Sequence, residues 1–357
     1  MKNIRKKSGI LLLCLITGTA IAQTKECSFR KSFPANDISV LKVIGKYGEV
    51  KINSSQKDSV IICSTITIRQ NNEKLREESL SLIKTGIKKT GDTVYVVTSY
   101  DNRFFSPPLN KDRINFSVDY SITMPSETNL EINNSFGNVF IDNCEGYVNI
   151  SVSHGNINTN MLSRGNIRPV NVLNADYGSI NVAEANWLLI NTVNCPSINI
   201  GNAKAVVTTS RFSKISAGTV NSIVCDSKSD MVSIGSANNV VLKGVYTAFN
   251  AGNIGDQLVA DTQYGSLAID NLANNFSTID IKSVETPISI KVARDASFNA
   301  DMTLSGTRSD ISNDTNSNLI TQQTGGITKV SGFWGDKKPG DSLIKIRASG
   351  GSIELKD

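Results

Sequence analysis

Tyr177-Gly178-Ser179-Ile180-Asn181-Val182 is one version of the pattern that decides how this chain folds. The pattern is an aromatic or small residue, a Gly or Ser, a polar residue, and then an alternating Ile/Val pair. It occurs as Tyr47-Gly48-Glu49-Val50-Lys51-Ile52, Phe136-Gly137-Asn138-Val139-Phe140-Ile141, His154-Gly155-Asn156-Ile157 and Pro196-Ser197-Ile198-Asn199-Ile200. Phe212-Ser213-Lys214-Ile215, Met231-Val232-Ser233-Ile234, Gly252-Asn253-Ile254 and Tyr264-Gly265-Ser266-Leu267-Ala268-Ile269 continue it. Phe276-Ser277-Thr278-Ile279-Asp280-Ile281 and Gly350-Gly351-Ser352-Ile353-Glu354-Leu355 complete eleven copies.

Taken from Phe136, the starts fall at His154, Tyr177, Pro196, Phe212, Met231 and Ala251, with gaps of 18, 23, 19, 16, 19 and 20 residues. A period near this length marks a repeat architecture in which each unit buries its apolar face on its neighbours. A second alternating segment lies between copies, as in Tyr147-Val148-Asn149-Ile150-Ser151-Val152, Trp187 to Ile190 and Asn239 to Leu242. Each turn therefore carries at least two short strands, with Ile and Val inward and polar residues outward. Gly supplies a tight corner of positive φ, and stacked Asn side chains bond along the axis. After Ala251 the starts fall at Tyr264 and Phe276, so either the turns shorten or the motif marks both sides of one turn. Thr303 to Thr324 reads as a loop or a ragged turn.

Composition agrees with this reading. Among 357 residues there are 38 Asn, which disfavour helices by competing for backbone hydrogen bonds. The apolar residues are mostly Ile and Val, which favour strands, and aromatics make up only 6%. The expected class is all-β, a right-handed parallel β-helix with a thin aliphatic core.

The formal charge of +5 belongs to the first segment. Lys2, Arg5, Lys6 and Lys7 precede the apolar run Gly9 to Ile16 and the small-residue stretch ending at Ala22, the order of a secretory signal peptide. Removal of 1–22 leaves 33 basic against 32 acidic residues, so no acidic partner is implied. No later segment reaches the roughly 20 apolar residues of a membrane span. Neither Leu11-Leu12-Leu13-Cys14 nor Thr24-Lys25-Glu26-Cys27 fits a lipid-attachment site, and the final strand Ser352 to Leu355 suggests no anchor. Export to the periplasm, the outer surface or the medium is expected.

Cys27, Cys63, Cys144, Cys195 and Cys225 remain after cleavage, without metal-binding spacing. Cys144, Cys195 and Cys225 read as small apolar residues of the core, and a Cys27 to Cys63 bridge is the alternative for the other two.

The N-terminal part differs. Strands are expected within 38–69, at 93–99 and at 114–124, and a helix over 72–85 with Lys84 and Gly86 closing it. This organisation gives a signal peptide at 1–22, a β-rich cap with one helix at 23–126, and a solenoid over 127–357 with irregular final turns.

With the Tyr-Gly-Glu-Val-Lys-Ile strand, the helix after Ile68, Val118-Asp119-Tyr120-Ser121-Ile122-Thr123-Met124-Pro125 and the Phe-Gly-Asn-Val copies, the chain resembles the exported adhesin-like β-solenoid families of bacterial envelopes. Those families comprise the auto-transporter adhesin head domain and relatives of unknown function. The resemblance implies a parallel β-helix in the envelope and brings no catalytic residue with it.

Groups for chemistry are few. His154, the one His, stands where Tyr47, Phe136 and Tyr177 stand in other copies, so it reads as a corner residue rather than a general base. A polysaccharide lyase or hydrolase would need clustered carboxylates beside a base; Asp226 with Asp230, Asp256 with Asp261, and Asp270 with Asp280 are the acidic pairs available. Phe104-Phe105 in a Pro-containing loop and Trp334 are candidate contact aromatics that read as packing against an open core end, and Trp187 as core or corner. Lys84 to Lys89 reads as a helix end and its turn, so nucleic acid is not an expected partner. No catalytic, cofactor or metal residue is assigned. The expected role is a non-catalytic adhesin-like or structural envelope protein offering loops or faces to a protein or glycan, with a polysaccharide-active enzyme as the alternative.

Overall fold

The computed structural model describes residues 25–356 apart from 57, 108, 110–114, 307, 312–317 and 336–339, so the segment 1–22 read as a signal peptide and most of the Asp336 to Gly340 turn lie outside the described residues. Alternation places every second side chain of a strand on one face, and parallel pairing stacks the alternate Ile and Val of successive copies. Ile157 pairs with Ile180, Ile180 with Ile198, Ile198 with Ile215, Ile215 with Val232, and Val232 with Phe249. From Ile180 on these partners lie 17 or 18 residues apart. The longer step from Ile157 to Ile180 is taken up by a non-strand segment at 163–170.

Ser179–Val193, Ser197–Arg211, Lys214–Lys228, Met231–Val245 and Ala248–Gln263 form five consecutive tiers of a mostly parallel sheet. Each tier contributes one residue to each of several inward columns. Val139, Ile157, Ile180, Ile198, Ile215, Val232, Phe249 and Leu267 make one; Leu173, Ile190, Thr208, Cys225, Leu242 and Ala260 make another, all buried. Burial of a Val or Ile side chain contributes about 1.5–3 kcal/mol, and neighbours one tier away supply most of the contact. The expected outward polarity fails in one column. Leu189, Val207, Val224, Val241 and Val259 pair in register on the outer face, the last four exposed. In Val206-Val207 or Val240-Val241 only the register decides which residue turns inward.

Among the described residues antiparallel pairing is confined to the two ends. At the N-terminal end Val40–Lys46 lies between Thr93–Tyr100 and Asn129–Ser135, while Val50–Ser54 lies between Asn115–Met124 and Val139–Cys144. Ser59–Arg69 and then Lys25–Pro34 continue this end antiparallel, as does Ile83–Thr90 on Thr93–Tyr100.

The helix is shorter than the sequence suggests. It spans Glu73–Ser81, capped by the Asn72 side chain, which accepts from the Leu75 N–H at 3.2 Å. Ile83 to Thr90 then form a hairpin with Thr93–Tyr100 through Gly91 at φ 62°, because sheet pairing there outweighs continued helix. Lys84, Lys88 and Lys89 therefore belong to an edge strand rather than a helix end, where charge discourages pairing with other chains.

At the C-terminal end the chain doubles back. Leu343–Ser349 is inserted between Thr278–Val284 and Phe298–Ser305, and Ser352–Lys356 between Ile288–Val292 and Arg308–Ile311. Part of the segment read as a loop is a strand: Asn318–Thr324 pairs with Ile327–Trp334 through Gly325 and Gly326, both of positive φ. Trp334 is buried and stacks on Phe298 at 5.8 Å, which confirms it as packing against the core end.

Replacing Ile180, fully buried in the first column, with Asp is expected to cost about 4 kcal/mol or more, since it removes packing and buries a carboxyl group. A urea unfolding midpoint unchanged from wild type would contradict the inward assignment.

Candidate functional site

The copies meet the surface at one outer bend. Phe136, His154, Tyr177, Asn194, Phe212, Ser229, Tyr246, Tyr264 and Glu285 occupy it, one per tier, all with φ between 45° and 57°. Tyr47 joins them at φ 61°. The spacing read from Pro196, Met231 and Ala251 was irregular because the equivalent residues are Asn194, Ser229 and Tyr246. Phe276 is instead buried at the start of the other half of a tier, so the motif does mark both sides of one turn.

A side chain in the left-handed region costs about 1–2 kcal/mol, and two interactions offset it. Each bend N–H donates to the carbonyl of the residue before the next bend: Phe136 to Ser153 at 2.9 Å, His154 to Asp176 at 2.9 Å, Phe212 to Lys228 at 3.1 Å and Ser229 to Val245 at 2.9 Å. The side chains also stack. Ring centroids lie 5.2 Å apart for Tyr47 and Phe136, 4.8 Å for Phe136 and His154, 5.0 Å for His154 and Tyr177, and 5.3 Å for Tyr246 and Tyr264.

Gly was expected to carry the positive φ, but that falls on the residue before it. The Gly serves close approach: a Cβ on Gly178 would overlap the Gly155 carbonyl oxygen, and one on Gly155 that of Gly137. Where the tiers have no Gly, a side chain takes the same slot and accepts a hydrogen bond along the stack. Ser213 Oγ accepts from the Cys195 N–H at 3.1 Å, and Asp230 Oδ1 from the Ser213 N–H at 2.7 Å. Asp230 is buried, and its Oδ2 also accepts from Ser210 Oγ at 2.6 Å.

Phe136, Tyr177, Phe212, Tyr246 and Tyr264 are between 48% and 59% exposed, so the bend is a row of accessible aromatic side chains. An open groove of about 710 Å³ runs beside it, lined among others by Phe212, Lys214, Ser229, Met231, Tyr246 and Tyr264. A second groove of about 500 Å³ crosses the tiers elsewhere, floored by Ala185, Ala203, Val220 and Ala237 and edged by Glu184, Lys204 and Asn side chains. Stacked Asn side chains bond from tier to tier, as Asn181 to Asn158 at 2.9 Å and Asn199 to Asn181 at 2.8 Å.

The residues singled out in the sequence separate. His154 lies in the aromatic stack, with Nδ1 2.9 Å from Ser153 Oγ. Phe104 is buried and packs on Phe116, whereas Phe105 is exposed beside Tyr47 and Tyr100. Trp187 is half-buried within a tier. Asp226 points outward and Asp230 inward. Asp280 lies 4.0 Å from Arg347. Among the described residues no group of three His, Cys, Asp or Glu is placed to hold a metal ion. Cys144, Cys195 and Cys225 are buried, as expected of core residues. Cys63 is a free thiol, and the backbone register pairs position 63 with Arg30 and position 27 with Ile66. The exposed aromatic row was present in the sequence as the first residue of the copies at Tyr47, Phe136, Tyr177, Phe212 and Tyr264, but not of the others. Its outward direction was missed because aromatics in a β-rich repeat also suit the core.

No family model matches the chain, and no curated protein matches it. Two solved structures align with 93% of it at 11% identity: a candidate cell adhesion protein from Clostridium sporogenes, covered over 99% of its length at a TM-score of 0.21, and a candidate adhesin from Bacteroides fragilis, covered over 97% at 0.30. Both TM-scores are too low to carry an argument about this chain.

Two outcomes follow from the stack beneath the bend. Asp230→Ala leaves the Ser213 N–H and the Ser210 hydroxyl without their acceptor and is expected to cost about 2–4 kcal/mol in chemical unfolding, with Asp230→Asn retaining part of it. Burial pushes the thiols up, Cys144 to about 12 and Cys225 to about 11, and raises Cys195 as well. These three should resist iodoacetamide at pH 8 in the native protein and react in denaturant, as peptide mass spectrometry would show.

Proposed function

We propose that this chain is an exported, non-catalytic, adhesin-like protein of the bacterial cell envelope that binds glycans along its outer bend. In this reading the tiers form a right-handed parallel β-helix running from 127, the segment 23–126 caps it, and the tier at 40–54 ties cap and helix together. The basic, apolar and small-residue order of 1–22 supports export. Parallel steps of 17 or 18 residues support the helix.

The observation that carries the function is the row of half-exposed aromatic side chains held in one line by a strained but hydrogen-bonded backbone. Fully buried aromatic residues would serve stability alone; these leave about half of each side chain to solvent, even where rings stack on one another, and exposed aromatics are the usual anchors of a binding surface. Their fixed spacing along the tiers suits a polymeric ligand, because weak contacts repeated at a constant interval add up.

Asn194 shows that the bend accepts Asn, so the variant carrying Tyr177→Asn, Phe212→Asn and Tyr246→Asn should fold. Its retention on immobilised polysaccharides, measured by surface plasmon resonance, is expected to fall about tenfold or more, roughly 1.4 kcal/mol. Equal retention with an unchanged circular dichroism spectrum would remove the bend as the binding surface.

A further inference from the structure

The aromatic row is not continuous. Between Phe212 and Tyr246 the bend residue is Ser229, which has the same left-handed backbone but no ring to occupy its level. Phe212, Ser229 and Tyr246 line one groove, and Tyr264 stacks on the far side of Tyr246 at 5.3 Å. The break at Asn194, between Tyr177 and Phe212, is different, since a longer polar side chain stands there and the groove does not reach Tyr177.

We propose that the break at Ser229 is a binding slot for one acidic sugar ring of a polysaccharide, such as a uronic acid residue. The assignment rests on the glycan-binding reading of the bend and names the ligand class at one position of it. Two tier steps of about 4.8 Å set the levels of Phe212 and Tyr246 roughly 10 Å apart. A flat aromatic ring in van der Waals contact on both faces needs only about 7–8 Å, so it would sit loosely. A puckered pyranose is thicker and presents C–H groups to both rings, while the Ser229 hydroxyl at the base can bond to a ring substituent.

Charge selects the acidic sugar. Lys214 lines the groove, and Arg211 and Lys228 immediately precede Phe212 and Ser229 on paired positions of adjacent tiers. All three are exposed, and among the described residues none is held in an ion pair. The acids nearby are Asp226, exposed two residues before Lys228, and Asp230, buried with its oxygens taken by Ser210 and Ser213. Cations thus outnumber acids along this stretch of the bend, on a chain whose expected mature charge is close to neutral, which favours a carboxylate-bearing ring over a neutral one.

The test is affinity electrophoresis of the full mature chain through gels containing polygalacturonate or its fully methyl-esterified form. Wild type should be retarded by polygalacturonate about tenfold more strongly than by the ester. Ser229→Phe should abolish the retardation by filling the slot; it should fold, since Phe212 and Phe136 hold the same backbone conformation. Lys214→Gln with Lys228→Gln should remove the preference for the acid while leaving the ester unaffected. Retardation of Ser229→Phe equal to wild type would overturn the slot. Equal retardation by acid and ester, still lost in the Tyr177→Asn, Phe212→Asn, Tyr246→Asn variant, would overturn the acidic-sugar assignment and leave the bend as a glycan surface. Retardation by neither polymer, together with binding of N-acetyltyrosine amide that Ser229→Phe abolishes, would overturn both in favour of an aromatic side chain from a protein.

Discussion

The hydrogen bond from each left-handed bend residue to the carbonyl one tier on is the interaction on which the rest of the structure depends. It runs from Tyr47 to Ser135, from Phe136 to Ser153, from Tyr177 to Val193 and onward to Glu285 and Ser349. Each bond needs the next bend at the same level of its own tier, so it holds the tiers in register. Register in turn decides which member of each Val-Val or Ile-Val pair is buried. The unfavourable backbone conformation is therefore part of how the sheet is held in alignment, and the stacked rings and the bonded N–H groups offset its cost.

Close stacking also dictates what may follow the bend. In the early tiers Gly48, Gly137, Gly155 and Gly178 succeed one another, each leaving room for a neighbouring carbonyl. In the later tiers Cys195, Ser213, Asp230 and Thr247 stand in the same place, and side-chain acceptors replace bare contact. The surface changes over the same region. Stacked aromatics give way to a broken row with Ser229 at the gap and cations around it. The internal hydrogen bonds keep that stretch ordered while its outside is free to vary.

The ends obey a different constraint. A stack of parallel strands leaves unpaired backbone groups at both faces, and this chain covers them with segments distant in sequence. Val40–Lys46 is held between strands that begin at Thr93 and Asn129, and the final strands Leu343–Ser349 and Ser352–Lys356 enter between tiers made earlier. Antiparallel hairpins and an edge rich in lysine then finish the N-terminal face. Phe276, Phe298 and Trp334 fill the core at the other end.

The alternation of Ile and Val, the abundance of Asn and the recurrence of the six-residue pattern were enough by themselves to specify strands, a thin aliphatic core and buried cysteines, because side-chain direction in a strand follows from local geometry. The short helix was visible within 72–85, although its end was not, since pairing of Ile83–Thr90 with Thr93–Tyr100 is a choice between two local structures made by distant partners. Equally, nothing local in Phe212, Ser229 or Tyr246 says whether a ring points in or out, or that Pro196 and Met231 are not their equivalents. Those facts depend on the backbone turning left-handed at one residue per tier and on hydrogen bonds to a carbonyl 16 or more residues away. Only the assembled stack aligns the exposed rings, reveals the missing one, sets Lys214 in its groove and pairs Arg211 with Lys228 just before the bend.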